Sequence, residues 1–192
     1  MMVKICGITN REDALAAVEA GASAIGFNFY RESPRYISHT GAAMIGEKIP
    51  ANVWKVGVFV DESPETIAKT MIEAGLDVAQ LHGISEARGV RVWRAIPASD
   101  PHAALLDGTE EAVLVDSGDG VSGGTGKTWD WTQSPYAGKK IIIAGGLDAD
   151  NVRTAIAQAH PWGVDACSRL EKSPGIKDHE KMRKFVAAAL NS

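Results

Sequence analysis

The chain has 192 residues, of which 45% are hydrophobic and 23% charged, with a formal net charge of −4 and a pI near 5.7. That is enough for one sizeable core and too little for two comfortable ones, so residues 1–192 are expected to form a single domain. The acidic balance argues against a nucleic-acid surface, which needs a dense basic patch, and no run of about eighteen apolar residues offers a membrane span.

The first stretch, Val3 to Asn10, reads as a strand that ends in a thiol and a glycine. Alternation puts Lys4 and Cys6 on one face and Val3 and Ile5 on the other. Thr9 and Glu12 have capping-box spacing, and a helix carried by Ala14, Leu15, Ala17 and Val18 runs to Gly21. Lys4 and Arg11 are embedded in this unit instead of preceding an apolar h-region, so a cytoplasmic location is the default expectation.

Ser23 to Phe29 reads as a second strand, followed by a loop containing Pro34 and Arg35. A weaker helix passes through Ala42, Met44 and Ile45, and Val53 to Val60 forms a third strand. Ser63 and Pro64 open another helix as cap and first-turn proline, with Ile67, Met71 and Ala74 on its apolar face. Asp77 to Leu81 is a fourth strand, ending at Gln80-Leu81-His82-Gly83. The connection from Ile84 to Gly89 is too short for a full crossover helix. Val90 to Ile96, Ala112 to Asp116, Lys139 to Ala144 and Gly163 to Cys167 complete eight strands. Between them a short helix is expected over Asp100 to Leu106, a glycine-rich loop over Ser117 to Thr128, one or two helical turns from Trp129 to Tyr136, and a helix capped by Asp148. A final helix begins at Asp178, with Met182, Phe185, Val186, Ala189 and Leu190 on one face.

Strands apolar on both faces and separated by helices indicate a parallel α/β sheet. Eight units suggest a compact, closed (β/α)8 barrel with a shortened connection after the fourth strand; the alternative is an open doubly wound sheet. The roughly 250 residues usual for such barrels leave this chain only lean loops.

In a barrel the loops after the strands form the active face, and the strand ends supply the chemistry. They offer Cys6, Arg35, Gln80, His82, Asp116, Asp165, Cys167, Ser168 and Arg169, with Asp130 after the glycine loop. Gly145-Gly146 before a helix leaves backbone N–H groups free to approach an anion. Gly118-Asp119-Gly120-Val121-Ser122-Gly123 matches a dinucleotide fingerprint, but Gly124-Thr125-Gly126 follows where a helix must begin. Gly126-Lys127-Thr128 resembles the end of a P-loop, yet Val121 stands where that motif needs glycine. A flexible lid fits these glycines better. A thiol and a carboxylic acid together suit a reaction that both removes and donates a proton, and Lys4 is the candidate cation for a thiolate at Cys6.

Taken together, Lys4-Ile5-Cys6-Gly7-Ile8-Thr9, Gly26-Phe27 with Ser33-Pro34-Arg35, Gly57-Val58-Phe59, Gln80-Leu81-His82-Gly83, Gly123-Gly124-Thr125-Gly126 with Asp130-Trp131, Ala144-Gly145-Gly146-Leu147, and Gly163-Val164-Asp165 with Pro174-Gly175 and Lys177-Asp178 resemble the phosphoribosylanthranilate isomerase family of tryptophan biosynthesis. The resemblance runs from Lys4 to Phe185. It implies a cofactor-free and metal-free Amadori rearrangement of a small phosphorylated substrate, with Asp130 as general acid and Cys6 as general base. It places Arg35 beside the anthranilate carboxylate and Asp165 near the reacting centre, with Gln80 and His82 among the substrate-binding residues. The phosphate would lie over Gly145, Gly146 and Ser168.

Arg169 departs from the family pattern, which usually has glycine there. It either strains the phosphate loop or adds a phosphate contact. A related aminoaldose isomerase and a non-catalytic phosphate-binding barrel are the alternatives; Cys6 in place of an aspartate speaks against the first, and retention of Cys6 with Asp130 against the second. Monomer and homodimer both remain open. Closure of the barrel would bring Cys6 and Cys167 close, where a disulfide would remove the base.

Overall fold

The computed structural model describes residues 1–99, 109–118, 127–133 and 139–192. Eight parallel strands, β1 (Met2–Ile5), β2 (Ala24–Asn28), β3 (Trp54–Val60), β4 (Val78–His82), β5 (Arg91–Pro97), β6 (Ala112–Asp116), β7 (Lys140–Ile143) and β8 (Gly163–Ala166), close into a barrel in sequence order. β1 completes the ring by pairing with β8, with Lys4 opposite Asp165 and Ile5 opposite Ala166. This is the (β/α)8 barrel expected from the strand count, and the open sheet is excluded by that last pairing.

Among the described residues the α-helices are α1 (Arg11–Glu19), α2 (His39–Gly46), α3 (Pro64–Glu73), α4 (Val152–Ala159) and α5 (His179–Leu190). α3 starts as its sequence dictates: the Ser63 side chain accepts from Thr66 N and Pro64 fills the first turn. Asp178 caps α5 by accepting from the backbone of Glu180 and Lys181. The α1 cap is Asn10 and not Thr9, since the Asn10 side chain accepts from Asp13 N and donates to the Asp13 carboxylate. Thr9 instead donates its hydroxyl to the Gly175 carbonyl across the chain. Asp148 caps a turn ahead of α4, accepting from Asp150 N and Asn151 N, and Asn151 is the residue at the helix start. Leu190, expected on the apolar face of α5, is 47% exposed, while Ala189 beside it is buried.

No helix joins β4 to β5. The helix expected over 100–106, most of the glycine loop and the end of the stretch from Trp129 to Tyr136 lie outside the described residues; Trp131–Gln133 forms one 3-10 turn. Two further short strands, β9 (Glu171–Ser173) and β10 (Ile176–Lys177), make an antiparallel hairpin after β8 that strand periodicity did not reveal. Among the described residues no helix is long and apolar enough to cross a membrane.

Strand alternation sorts the core into two shells. Val3, Ile5, Ile25, Phe27 and Val164 face outward and pack with Ala14, Ala17, Met182, Phe185 and Val186 of the helices. Met2, Ala24, Val56, Val78, Trp93, Leu114 and Ile142 fill the barrel itself. At its lower end Trp54, Trp93 and Trp162 meet with ring centroids 5.7–5.9 Å apart. Arg91 lies 4.3 Å from the Trp54 ring centroid and Lys140 lies 4.9 Å from that of Trp162, while Glu111 accepts from both cations. This cluster seals the end of the barrel opposite the site. Trp93 is fully buried, so Trp93→Ala is expected to destabilise the protein by about 3–5 kcal/mol, read from the shift in a urea unfolding curve.

Candidate active site

Above the aliphatic plug, the inward positions of β1 and β8 change character. Lys4, a lysine with no exposed surface, donates from Nζ to Asp165 Oδ1 at 3.0 Å. Cys6 and Cys167 lie just past the ends of these two strands, and both line the cavity above the plug. Cys6 N donates to Ala166 O at 2.9 Å, the last bond of the pairing between the two strands. Both cysteines are free and partly exposed to a cavity of about 160 Å³.

The hairpin β9–β10 supplies a second set of charges from the other side. Glu171 accepts two hydrogen bonds from the Arg35 guanidinium at 2.9 and 2.8 Å and one from Lys177 Nζ at 2.8 Å. Lys177 is also buried; its Nζ lies 3.2 Å from the Cys167 carbonyl and 3.7 Å from the Cys167 sulfur. The Lys177 backbone N–H donates to Asp13 in α1, and Asp13 also meets His179, which fastens the hairpin to the barrel wall. Gly7, at φ +73°, permits the tight packing here, because a Cβ there would come 2.7 Å from Arg35 and 2.9 Å from the Cys167 sulfur.

These contacts set the ionisation of the thiols. A hydrogen bond from Cys167, with the charge of Lys4 and then of Lys177, outweighs burial and holds Cys6 well below the usual thiol range. The same hydrogen bond, joined by burial, holds Cys167 well above it. Burial works against the Lys4 charge, but Asp165 and Cys6 together keep it protonated above its ordinary range. Burial pushes the Asp165 carboxyl up to about 7 against the pull of Lys4. Burial also pushes Glu171 up, yet the Arg35 hydrogen bonds and Lys177 outweigh it and hold the carboxylate ionised. Lys4, Lys177 and Arg35 thus face Glu171, one thiolate and a partly protonated Asp165 within a largely dry wall.

The cavity brings together Cys6, Arg35, Gln80, His82 and Asp165 from the sequence-derived set. Gln80 Nε2 and His82 Nε2 are 3.0 Å apart, and the buried Gln80 Oε1 has no partner among the described residues, so it can accept from a ligand. Gly145, Gly146, Ser168 and Arg169 line an adjoining, smaller cavity that shares Asp116, Asp165 and Cys167 with the first. Gly145 and Gly146 have φ of +88° and +61°. Arg169 does not adopt positive φ; it lies in a 3-10 turn, Ser168–Leu170, and its Nη1 donates to Asp148 at 2.6 Å. The loop therefore accepts a non-glycine residue there without backbone strain.

Asp130 stands apart from the lining of both cavities. It is exposed, and its Oδ1 accepts from the backbone and hydroxyl of Thr132. Trp131 is buried against the outer core, and Trp129 donates to the Ala144 carbonyl, so both tryptophans brace this segment from below. Sequence reasoning found Lys4 as a site residue, quoted Lys177 only within a motif, and missed Glu171, whose one local signal was the Pro174-Gly175 turn that follows it.

A closed barrel with convergent ionisable groups at the carboxyl ends of its strands defines a (β/α)8-barrel enzyme with an anion-sized recess beside its main cavity. Residues 3–188 match the model of the N-(5'-phosphoribosyl)anthranilate (PRA) isomerase family. The N-(5'-phosphoribosyl)anthranilate isomerase of Solibacter usitatus (strain Ellin6076) is 46% identical, over 98% of this chain and 97% of its own. The crystal structure of phosphoribosyl anthranilate isomerase from Thermotoga maritima superposes with a TM-score of 0.91 at 39% identity, covering both chains fully. A family structure in complex with reduced 1-(o-carboxyphenylamino)-1-deoxyribulose 5-phosphate gives 0.84 at 35% identity, again over the whole of each chain. The chain belongs to the phosphoribosylanthranilate isomerase family.

The raised Asp165 carboxyl has a measurable consequence for stability. Its folded value, about 7, lies above the ordinary 3.8, so the folded state binds the extra proton between those limits and stability falls as pH rises through them. The urea midpoint of the parent should drop relative to that of Asp165→Asn as pH is raised from about 4 to about 7. Parallel midpoints across that window would refute the assignment.

Proposed function

We propose that this chain catalyses the Amadori rearrangement of N-(5'-phosphoribosyl)anthranilate to 1-(2-carboxyphenylamino)-1-deoxyribulose 5-phosphate in tryptophan biosynthesis. The observation that carries the reading is the family match along nearly the whole chain. The chemistry of the cavity agrees with it.

In this reading Cys6 is the general base. Its thiolate, held by Lys4 and by the Cys167 thiol, removes the C2' proton after the furanose ring has opened. Asp130 is the general acid that protonates the ring oxygen, so that the C–O bond breaks and the anthranilate nitrogen forms a protonated imine. Loss of the C2' proton gives an enolamine, which tautomerises to the ketone. The role of Asp130 rests on the family resemblance, since its carboxylate is engaged with Thr132 and off the cavity wall.

The Arg35 guanidinium is fixed in plane by its fork on Glu171, and its remaining edge suits the anthranilate carboxylate. Gln80 and His82 offer hydrogen bonds to the sugar, and Asp165 lies between the base and the anion recess. The phosphate sits over Gly145, Gly146 and Ser168, with the Arg169 guanidinium at the rim adding positive charge. The chemistry needs neither metal nor cofactor, because every step is a proton transfer assisted by the substrate's own nitrogen. Residues 1–192 act in this proposal as a single barrel domain, working in the reducing cytoplasm, where the thiolate base is protected.

Freshly generated phosphoribosylanthranilate should lose its anthranilate fluorescence when the purified, reduced protein is added. Cys6→Ala and Asp130→Asn should each lower the rate by at least about a hundredfold. Folded, reduced parent protein that leaves the fluorescence unchanged would reject the isomerase reading.

A further inference from the structure

The two thiols are placed for chemistry that the isomerisation does not use. Lys4 pairs with Asp165 and Ile5 with Ala166, the last paired positions of β1 and β8, and Cys6 and Cys167 are the next residue on each. The paired positions just before the thiols lie about 5 Å apart, within the Cα separation that a disulfide spans. Both cysteines line the same cavity. A Cβ on Gly7, the residue after Cys6, would come 2.9 Å from the Cys167 sulfur, and both cysteines are free. Each has a cation at hand, Lys4 for Cys6 and Lys177, at 3.7 Å, for Cys167.

We propose that Cys6 and Cys167 form a peroxide-oxidation site, with Cys6 as the attacking thiol and Cys167 as the resolving one. The Cys6 thiolate attacks one oxygen of hydrogen peroxide; the O–O bond breaks, hydroxide leaves, and the sulfur, oxidised by two electrons, becomes a sulfenic acid. The Cys167 sulfur then attacks the Cys6 sulfur. An S–S bond forms, the S–O bond breaks, and the departing hydroxide takes the Cys167 proton as water. Lys177 stabilises the Cys167 thiolate as it forms, and Lys4 lies beside the Cys6 sulfur that the hydroxide leaves. The roles follow from the neighbours: Lys4 has Asp165 and Cys6 before it, whereas Lys177 is shared with Glu171 and the Cys167 carbonyl and supports its thiol less. Resolution by Cys167 stops oxidation at the disulfide, before the irreversible sulfinic acid.

The effect on turnover rests on Cys6 being the base, and it is measured separately from the thiol chemistry. Full-length reduced protein is titrated with hydrogen peroxide while free thiols, peptide mass and isomerase rate are followed. The expected result is loss of both free thiols, a peptide linking Cys6 to Cys167 within one chain, and recovery of the thiols on adding dithiothreitol. The rate should fall about a hundredfold and return with the thiols. In Cys167→Ser, or in Cys167→Ala if the serine variant does not fold, dimedone should trap a sulfenic acid at Cys6. Prolonged peroxide should then leave damage that dithiothreitol does not reverse. Two thiols surviving peroxide, a bond between separate chains, or a Cys167 variant as recoverable as the parent would each overturn the proposal. A disulfide that forms while turnover persists would uphold the oxidation site and overturn only the role of Cys6 as base.

Discussion

The rest of the site depends on a lysine buried inside a barrel. Lys4 has no exposed surface, and an isolated ammonium there would either lose its proton or unfold its surroundings. Asp165, opposite it on the last strand, makes the charge tenable, and the pair in turn gives the Cys6 thiol a reason to ionise. The cost of this arrangement is visible in Asp165, whose carboxyl is dragged toward neutrality by the same burial. A barrel closed by hydrophobic residues at this level would be easier to stabilise. It would carry no base.

Charge balance explains why the hairpin after β8 belongs to the site as much as the strands do. Glu171 and Lys177 sit on its two short strands, and the Arg35 side chain crosses from the β2 loop to meet them. Without Glu171, Arg35 and Lys177 would face each other as uncompensated cations; without Lys177, Cys167 would lose its nearest charge. Local order in this hairpin is therefore maintained by electrostatics on one side and by the Asp13 and Thr9 contacts of the first βα unit on the other.

Much of the architecture was legible because strands buried on both faces and helices with caps leave strong periodic signals. Ser63-Pro64 and Asp178 mark their helix starts unambiguously, and the short Ile84 to Gly89 link correctly implied a missing helix. The displaced caps at Asn10 and Asn151 show the limit of spacing rules: several polar residues stood in sequence at each start, and tertiary partners, such as Gly175 for Thr9, decided which was used. At the site, alternation alone placed Lys4 beside Cys6. It could not show Glu171 and Lys177, because a two-residue strand has no period to detect and the meaning of those charges comes only from what they meet across the fold. Arg169 was ambiguous for a related reason, since a residue name does not disclose φ; the 3-10 turn resolves it.

The groups that tune the thiol are gathered from the two ends of the chain: Lys4 and Asp165 are 161 residues apart, and Arg35 and Glu171 are separated by 136. No partial chain emerging from the ribosome can hold them together until the last strand and its hairpin have been made. Synthesis therefore proceeds with Cys6 as an ordinary thiol, little ionised and slow to react. Its reactivity arrives only with completion of the ring, so the chemical hazard of a thiolate is confined to molecules that have already folded.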